Sequence, residues 1–426
     1  MKALVFERSI PRFGASRVAS LLGSGRGAQF GPLRLMDLEA PELPGDDWFR
    51  VQPVLSGICG SDLATLDGRS SRYFEGLVSF PFVPGHEVVG TVGEGAVSAS
   101  GKALAPGARV VIEPVLGCLA RNIDPPCAAC QEGRTGDCEL VAFGHLQPGL
   151  QTGFCHDTGG GWSTAGLVAH RSQLHEVLDA LSDEDAVTVE PLACAIHAVL
   201  SAGLLDDMTV AVIGAGTLGL AVTGAVAYLA SSKRNASPKA LLVGARYKHQ
   251  RATAIELGAT SAYPSDQLAG AVRQTSRSLA VGSPSKGRLT GGADIVFDCV
   301  GSAQSIDQSL AMVRPRGKVV LVGMPGKVRV DLAPLWHREV SLVGAYAYGI
   351  ESVQKAKGRE ALRTFDLAME MAVALGSGRL VSATYPIDRF EDAVAHAGAA
   401  GRRGAVKIAF DLQASTKKRS RTESER

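Results

Sequence analysis

The sequence predicts an α/β chain in two parts, a β-rich region and then a doubly wound parallel sheet. Three observations carry that prediction. The N-terminal part is made of short apolar runs broken by Gly and Pro: KALVF, FRVQPVLSGIC, EVVGTVGEG and ARVVIEP. From Thr209 onward strands alternate with helical stretches, VAVIGAG, KALLVGA, HQRATAIELGA and ADIVFDCVG among them, which is the signature of a parallel sheet covered by helices. At the first of those strand-to-helix junctions stands a Gly-x-Gly-x-x-Gly, formed by Gly214, Gly216 and Gly219.

The remaining elements follow the same logic. Pro11 to Pro32 interrupts the first two strands and reads as an inserted loop. GREALRTFDLAMEMAVALGSG reads as a helix, GAVKIAFDL as a closing strand, and STKKRSRTESER as a solvated end. With 426 residues, 46% of them hydrophobic, the chain has enough apolar material for more than one core. Its 44 basic and 42 acidic side chains leave a formal charge of +2, which gives no electrostatic case for a nucleic-acid or membrane partner. The eight cysteines are clustered and MKALVFERSI lacks the apolar core of a secretory leader, so a reduced, cytoplasmic protein is expected. Val210 to Ala230 is uncharged and long enough for a membrane helix. The competing reading is a buried strand, a turn and a buried helix, favoured by the glycines near its start and the lack of a second apolar span.

The glycine motif is a dinucleotide site in that context. Gly214 permits the tight turn, Gly216 lets the backbone approach a pyrophosphate, and Gly219 allows close helix–strand packing. Thr217 and Leu218 open the helix whose N-terminus would hold the anion. The second strand of such a unit ends in an acid when the ribose carries free hydroxyls; here Ala245 takes that place, followed by Arg246, Lys248 and Arg251. Without a carboxylate to repel it, a 2′-phosphate is able to pair with Arg246, so NADP is expected in preference to NAD. The plainer alternative is a solvated basic helix start.

Two further patterns suggest metal. Cys127, Cys130 and Cys138 are spaced C-x2-C-x7-C, most of a tetrahedral thiolate site. Cys59 in GICGSD and His86 in PGHEVVG are each flanked by glycine turns and suit zinc.

Taken together, GICGSD, GHEVVG, PGARV, CAACQEGRTGDC, EPLACAIHAV, VIGAGTLG and VRPRGKVVLVG resemble the zinc-dependent medium-chain dehydrogenases, the superfamily of alcohol, sorbitol and threonine dehydrogenases. The resemblance covers nearly the whole chain. It implies a GroES-like β-barrel catalytic domain over residues 1–194, a Rossmann domain over 195–345 and a return to the catalytic domain over 346–426, with the active site in the cleft. It implies a catalytic zinc held by Cys59 and His86 with Glu87 and Glu190, two carboxylates that exchange as ligands or hold the metal's water. It gives Ser61 the start of a proton relay and Asp62 the task of orienting the histidine; the histidine that ends the relay in some members is replaced here by Ala64. A structural zinc in the family takes four cysteines spaced C-x2-C-x2-C-x7-C. The first of these falls on Asp124, so Asp124, Cys127, Cys130 and Cys138 form the expected set, with Cys118 the rival to Asp124. The implied activity is hydride transfer between a nicotinamide cofactor and an alcohol or polyol, or the matching aldehyde or ketone, by a homodimer or homotetramer. A zinc-free quinone or enoyl reductase and a catalytically silent nucleotide-binding protein are the competing functions.

Overall fold

The structure is a computed structural model that describes residues 1–23, 25–282, 287–355 and 358–414. Two compact units make up the chain: residues 1–190 with 376–426, and residues 191–375. The tail 415–426 lies outside the described residues.

In the first unit a seven-stranded sheet is built on the long strand Trp48–Gly57. Its order runs Val381–Pro386, Lys407–Asp411, Trp48–Gly57, Val88–Val92, Arg109–Ile112 and Leu174–Glu176, with Leu167–His170 also pairing on Trp48–Gly57. The C-terminal strand therefore pairs with one near the N-terminus, Ala409 opposite Gly57 and Phe410 opposite Ser56. Alternation of apolar residues along these strands buries one core around Val51, Val88, Val110, Ile112 and Leu167 and another around Phe6, Phe82, Trp162, Ile408 and Phe410. Pro11 to Pro32, expected as a loop, instead holds the helix Ile10–Ser20 and the 3-10 turn Arg26–Gln29. Pro11 opens the helix, where its missing N–H costs nothing, and Ser16 and Arg17 bond the carbonyls of Leu66 and Gly68.

The second unit is a six-stranded parallel sheet in the order Ser261–Tyr263, Ala240–Gly244, Thr209–Ile213, Ala293–Asp298, Val313–Leu321, Ser341–Gly344. The first strand in sequence is central, flanked on opposite sides by the second and the fourth, so the order reverses at its C-terminal end, where such sheets bind ligands. The uncharged stretch Val210 to Ala230 is the strand Thr209–Ile213 and the helix Thr217–Ser231, and no helix among the described residues is long and apolar enough to cross a membrane. The first unit resumes at Gly376, not at residue 346 as expected. The hairpin Ile350–Gln354/Arg359–Arg363 and the helix Thr364–Leu375 stay with the parallel sheet, because Met371 and Leu375 pack where Gly224 of the helix Thr217–Ser231 leaves room.

Candidate metal and dinucleotide sites

The end of the strand Trp48–Gly57 is held from both sides. Gly57 N–H donates to Glu87 O at 2.8 Å and Ile58 N–H to Ile408 O at 2.9 Å. That ladder brings the turns carrying Cys59 and His86 together with Lys407, the first residue of the strand Lys407–Asp411. Cys59 caps the short helix Gly60–Leu66, and its N–H donates to Asp62 Oδ2 at 2.9 Å. The other oxygen of Asp62 lies 3.5 Å from His86 Nδ1, leaving Nε2 for a metal. One buried carboxylate thus addresses both Cys59 and His86. A strap from Gly159 to Trp162 backs these turns: Gly161 N–H and Trp162 N–H donate to Gly85 O and Pro84 O, and Trp162 Nε1–H donates to Gly57 O at 3.1 Å.

Ligand atoms of Cys59, His86 and Glu87 lie within 4.8 Å of one another. Glu190, the fourth residue expected there, is outside that group, although it is buried and its charge acts on both His86 and Lys407. Glu87 and Lys407 form an ion pair in which each is 1% exposed, and Lys407 Nζ also donates to Ile58 O at 3.3 Å. Gly57 makes room for it, since a Cβ there would overlap Glu87 Oε2 and Lys407 Cε. Burial opposes a charge on His86, but Asp62 and Cys59 outweigh it, and in the metal-free protein the ring titrates well above its ordinary value. Asp62 is itself shifted up by burial, against the pull of His86. Ser61 is half-buried in the first turn of the same helix. A cysteine sulfur, an imidazole and a carboxylate converging from two turns, with a carboxylate behind the imidazole, suit zinc.

The second cluster differs from the expectation in one member. The sulfurs of Cys118, Cys127, Cys130 and Cys138 lie within 4.8 Å of one another, while Asp124 is exposed and outside the group. Cys118 Sγ is 3.7 Å from Cys138 Sγ and accepts the Cys127 N–H at 3.3 Å. The loop after Cys118 turns tightly, with Ile123 N–H on Cys118 O at 3.0 Å, and this returns Cys118 to a pair of cysteines nine and twelve residues later in the chain. A hydrogen bond from Cys130, helped by the Leu140 N–H, pulls Cys138 down to about 5, and Cys130 is pushed up in exchange. Four convergent cysteine sulfurs fit a closed tetrahedral metal site with no position left for substrate.

In the second unit Gly214 has φ +87° and donates its N–H to Gly244 O at 3.0 Å. A Cβ at Gly219 would overlap Gly214 O, whereas a Cβ at Gly216 would meet nothing within 4 Å, which is the open approach a pyrophosphate needs. Gly216 caps the helix that begins at Thr217 and Leu218. Ala245 is buried at the end of the second strand. Arg246 is exposed and lines a cavity of about 270 Å³ with Pro264, Ser265, Asp266, Gln304 and Gln308. Arg251, also expected at the cofactor site, bends back: its Nη1 donates to Ala245 O and Arg246 O at 3.0 and 3.1 Å, bracing the loop that presents Arg246.

Lys407 escaped the sequence reading. Its signal is one lysine inside the apolar run AVKIAF, in a strand whose first four residues are buried on both faces.

A family model described as alcohol dehydrogenase GroES-like domain matches residues 45–179, and one described as zinc-binding dehydrogenase matches residues 239–362. The sorbitol dehydrogenase of Arabidopsis thaliana is 31% identical over 304 residues, covering 70% of this chain and 73% of that protein. Among solved structures, a zinc-binding dehydrogenase from Sinorhizobium meliloti bound to NADP superposes with a TM-score of 0.66 at 24% identity, covering 96% of this chain and 98% of the other. An alcohol dehydrogenase from Escherichia coli complexed with NADH superposes with a TM-score of 0.68 at 19% identity, covering 97% and 99%. The chain belongs to the zinc-type medium-chain alcohol dehydrogenase family, nicotinamide-dependent oxidoreductases that act on small alcohols and polyols.

Proposed function

We propose that this enzyme interconverts a polyol or secondary alcohol and the corresponding ketone, using a metal at Cys59, His86 and Glu87 and preferring NADP to NAD. The observation that carries the proposal is the convergence of those three side chains with Asp62 behind them. The likeness to a sorbitol dehydrogenase supports the polyol class.

When bound, zinc polarises the substrate's oxygen and nicotinamide takes up or gives the hydride. The chain's own groups do the rest. Asp62 fixes the tautomer and tilt of His86 and anchors the Cys59 backbone. Lys407 balances the charge of Glu87 beside Cys59. Glu190, beside but outside the ligand group, holds the water or substrate side. Ser61, next to Asp62 at the start of its helix, accepts the substrate proton; with Ala64 in place of a histidine, the proton passes on through solvent. In the second unit Arg246 pairs with the 2′-phosphate, and Ala245 puts no carboxylate at the end of the second strand to repel it. The cluster of Cys118, Cys127, Cys130 and Cys138 holds a second, structural zinc.

A homodimer or homotetramer belongs to this proposal, supported by the open edge strand Ser341–Gly344 and by Trp336, 81% exposed just before it in the chain. All eight cysteines are unbridged, which supports a reducing, cytoplasmic setting. The test is a panel of polyols and secondary alcohols run with NAD and NADP in parallel, with zinc counted per chain. Turnover faster with NADP supports the cofactor assignment, and a marked NAD preference refutes it. Reduction of quinones or enones in place of alcohol oxidation refutes the reaction itself.

A further inference from the structure

Arg121 lies in the loop that carries the four cysteines, and neither metal site described above uses it. It is fully buried. Its Nε donates to Leu116 O at 3.0 Å. Nη1 reaches Phe143 O at 2.9 Å, Leu146 O at 3.2 Å and Gln147 O at 3.3 Å, and Nη2 reaches Gln147 O at 3.3 Å and Gly149 O at 2.6 Å. The main chain of the same residue is equally engaged. Its N–H donates to Gly117 O and Cys118 O, and its carbonyl accepts the His145 N–H at 3.3 Å. Gly144, at φ +89°, packs so closely that a Cβ would lie 3.0 Å from the Arg121 Cβ. One side chain thus joins the segment entering the cysteine loop, residues 116–118, to the segment leaving it, residues 143–149.

All of those acceptors are backbone carbonyls, and none is a carboxylate. A buried guanidinium with only dipoles around it is costly unless opposite charge lies close by. Burial acts most strongly on Arg121 and disfavours its charge; Cys155, Cys138, Asp157 and Cys118 oppose that effect, so two of the four clustered cysteines are among the groups that favour the cation. A divalent cation held by four thiolates retains a net negative charge, and such a centre is the electrostatic complement of a buried arginine.

We propose that Arg121 is the positioning residue of the four-cysteine metal site. Its planar fork closes the loop so that Cys118, and not Asp124, reaches Cys127, Cys130 and Cys138, and its charge offsets the excess negative charge of the loaded centre. This rests on the reading of the cluster as a metal site. The two contributions are separable, because lysine keeps the charge without the fork whereas methionine removes both.

The test uses the full-length protein in four forms: wild type, Cys118→Ser, Arg121→Lys and Arg121→Met. Zinc per chain and the rate of zinc transfer to a chromogenic chelator are measured for each. Cobalt-substituted samples report the thiolate-to-metal charge-transfer band, which a merely structural prop would leave unmoved. Loss of one zinc in Cys118→Ser establishes the metal site itself. Given that, Arg121→Met is expected to release the cluster's zinc about 10- to 100-fold faster, as loss of outer groups around metal ligands does elsewhere, and to shift the cobalt band. Arg121→Lys is expected to fall between and, because it keeps the charge, to hold the band nearer its wild-type position. Unchanged release and an unchanged band in Arg121→Lys and Arg121→Met overturn the proposal while leaving the metal site standing. A Cys118→Ser protein with undiminished zinc overturns both.

Discussion

Lys407 and Glu87 form an ion pair in which each side chain is 1% exposed, and the pair sits against Gly57 at the end of the strand that leads to Cys59. The lysine comes from the C-terminal strand of the first unit and the glutamate from the turn after His86. The pair therefore couples completion of the sheet to assembly of the metal site. A buried pair of this kind adds little stability over an apolar pair, but removing one partner strands a charge.

Lys407→Met is accordingly expected to destabilise the first unit by roughly 3–5 kcal/mol, while adding Glu87→Gln recovers much of that loss. Thermal or denaturant unfolding of the two single variants and the double variant measures the coupling. Additive losses would show that the two side chains do not depend on each other.

Gly57→Ala is expected to be as damaging as either change, since a Cβ there overlaps both partners of the pair. Gly60→Ala, one turn away, meets nothing within 4 Å and is expected to be neutral or mildly stabilising, because alanine favours the helix Gly60–Leu66. Zinc content and melting temperature of the two alanine variants provide the comparison. Equal behaviour would mean that space at Gly57 is not limiting.

Asp62→Asn is expected to weaken metal binding at Cys59 and His86 by about 10- to 100-fold, read by competition with a chelator. The pH dependence has a definite sign. In the metal-free protein His86 titrates above its ordinary value, so its proton adds stability below the unfolded histidine pKa of about 6.5. That contribution disappears as pH rises through the higher folded value. Metal and proton compete for the same ring, so zinc release on acidification begins at a higher pH than an ordinary histidine would give. With Asp62 neutral the ring pKa falls and this proton competition moves to lower pH; an unchanged profile would show that Asp62 does not set it.

Cys118→Ser is expected to cost the chain one zinc, whereas Asp124→Ala is expected to keep it, because the exposed Asp124 side chain lies outside the cysteine cluster. The reverse result would restore the spacing argument that favoured Asp124.

Local spacing carried much of this fold into the sequence. Gly214, Gly216 and Gly219 occupy the turn their pattern specifies, and Cys59 and His86 meet as their glycine-flanked turns suggested. What stayed hidden depends on how distant segments meet. Cys118 reaches Cys138 because the intervening loop folds back on itself, with Cys118 O accepting the Ile123 N–H and Cys118 Sγ the Cys127 N–H, contacts that no cysteine spacing encodes. Lys407 becomes a partner of Glu87 only when the last strand pairs beside the strand Trp48–Gly57. The late return at Gly376 reflects packing of Met371 and Leu375 on a helix more than a hundred residues earlier.

The most direct measurement is alcohol-dependent reduction of NADP by the wild-type protein and by Cys59→Ala and Cys118→Ser, each with zinc counted per chain. Two zincs and turnover are expected for the wild type. Cys59→Ala is expected to lose one zinc and all turnover, whereas Cys118→Ser loses the other zinc and keeps turnover in whatever fraction stays folded. Undiminished turnover in Cys59→Ala would contradict the assignment of Cys59, His86 and Glu87 as the centre of the reaction.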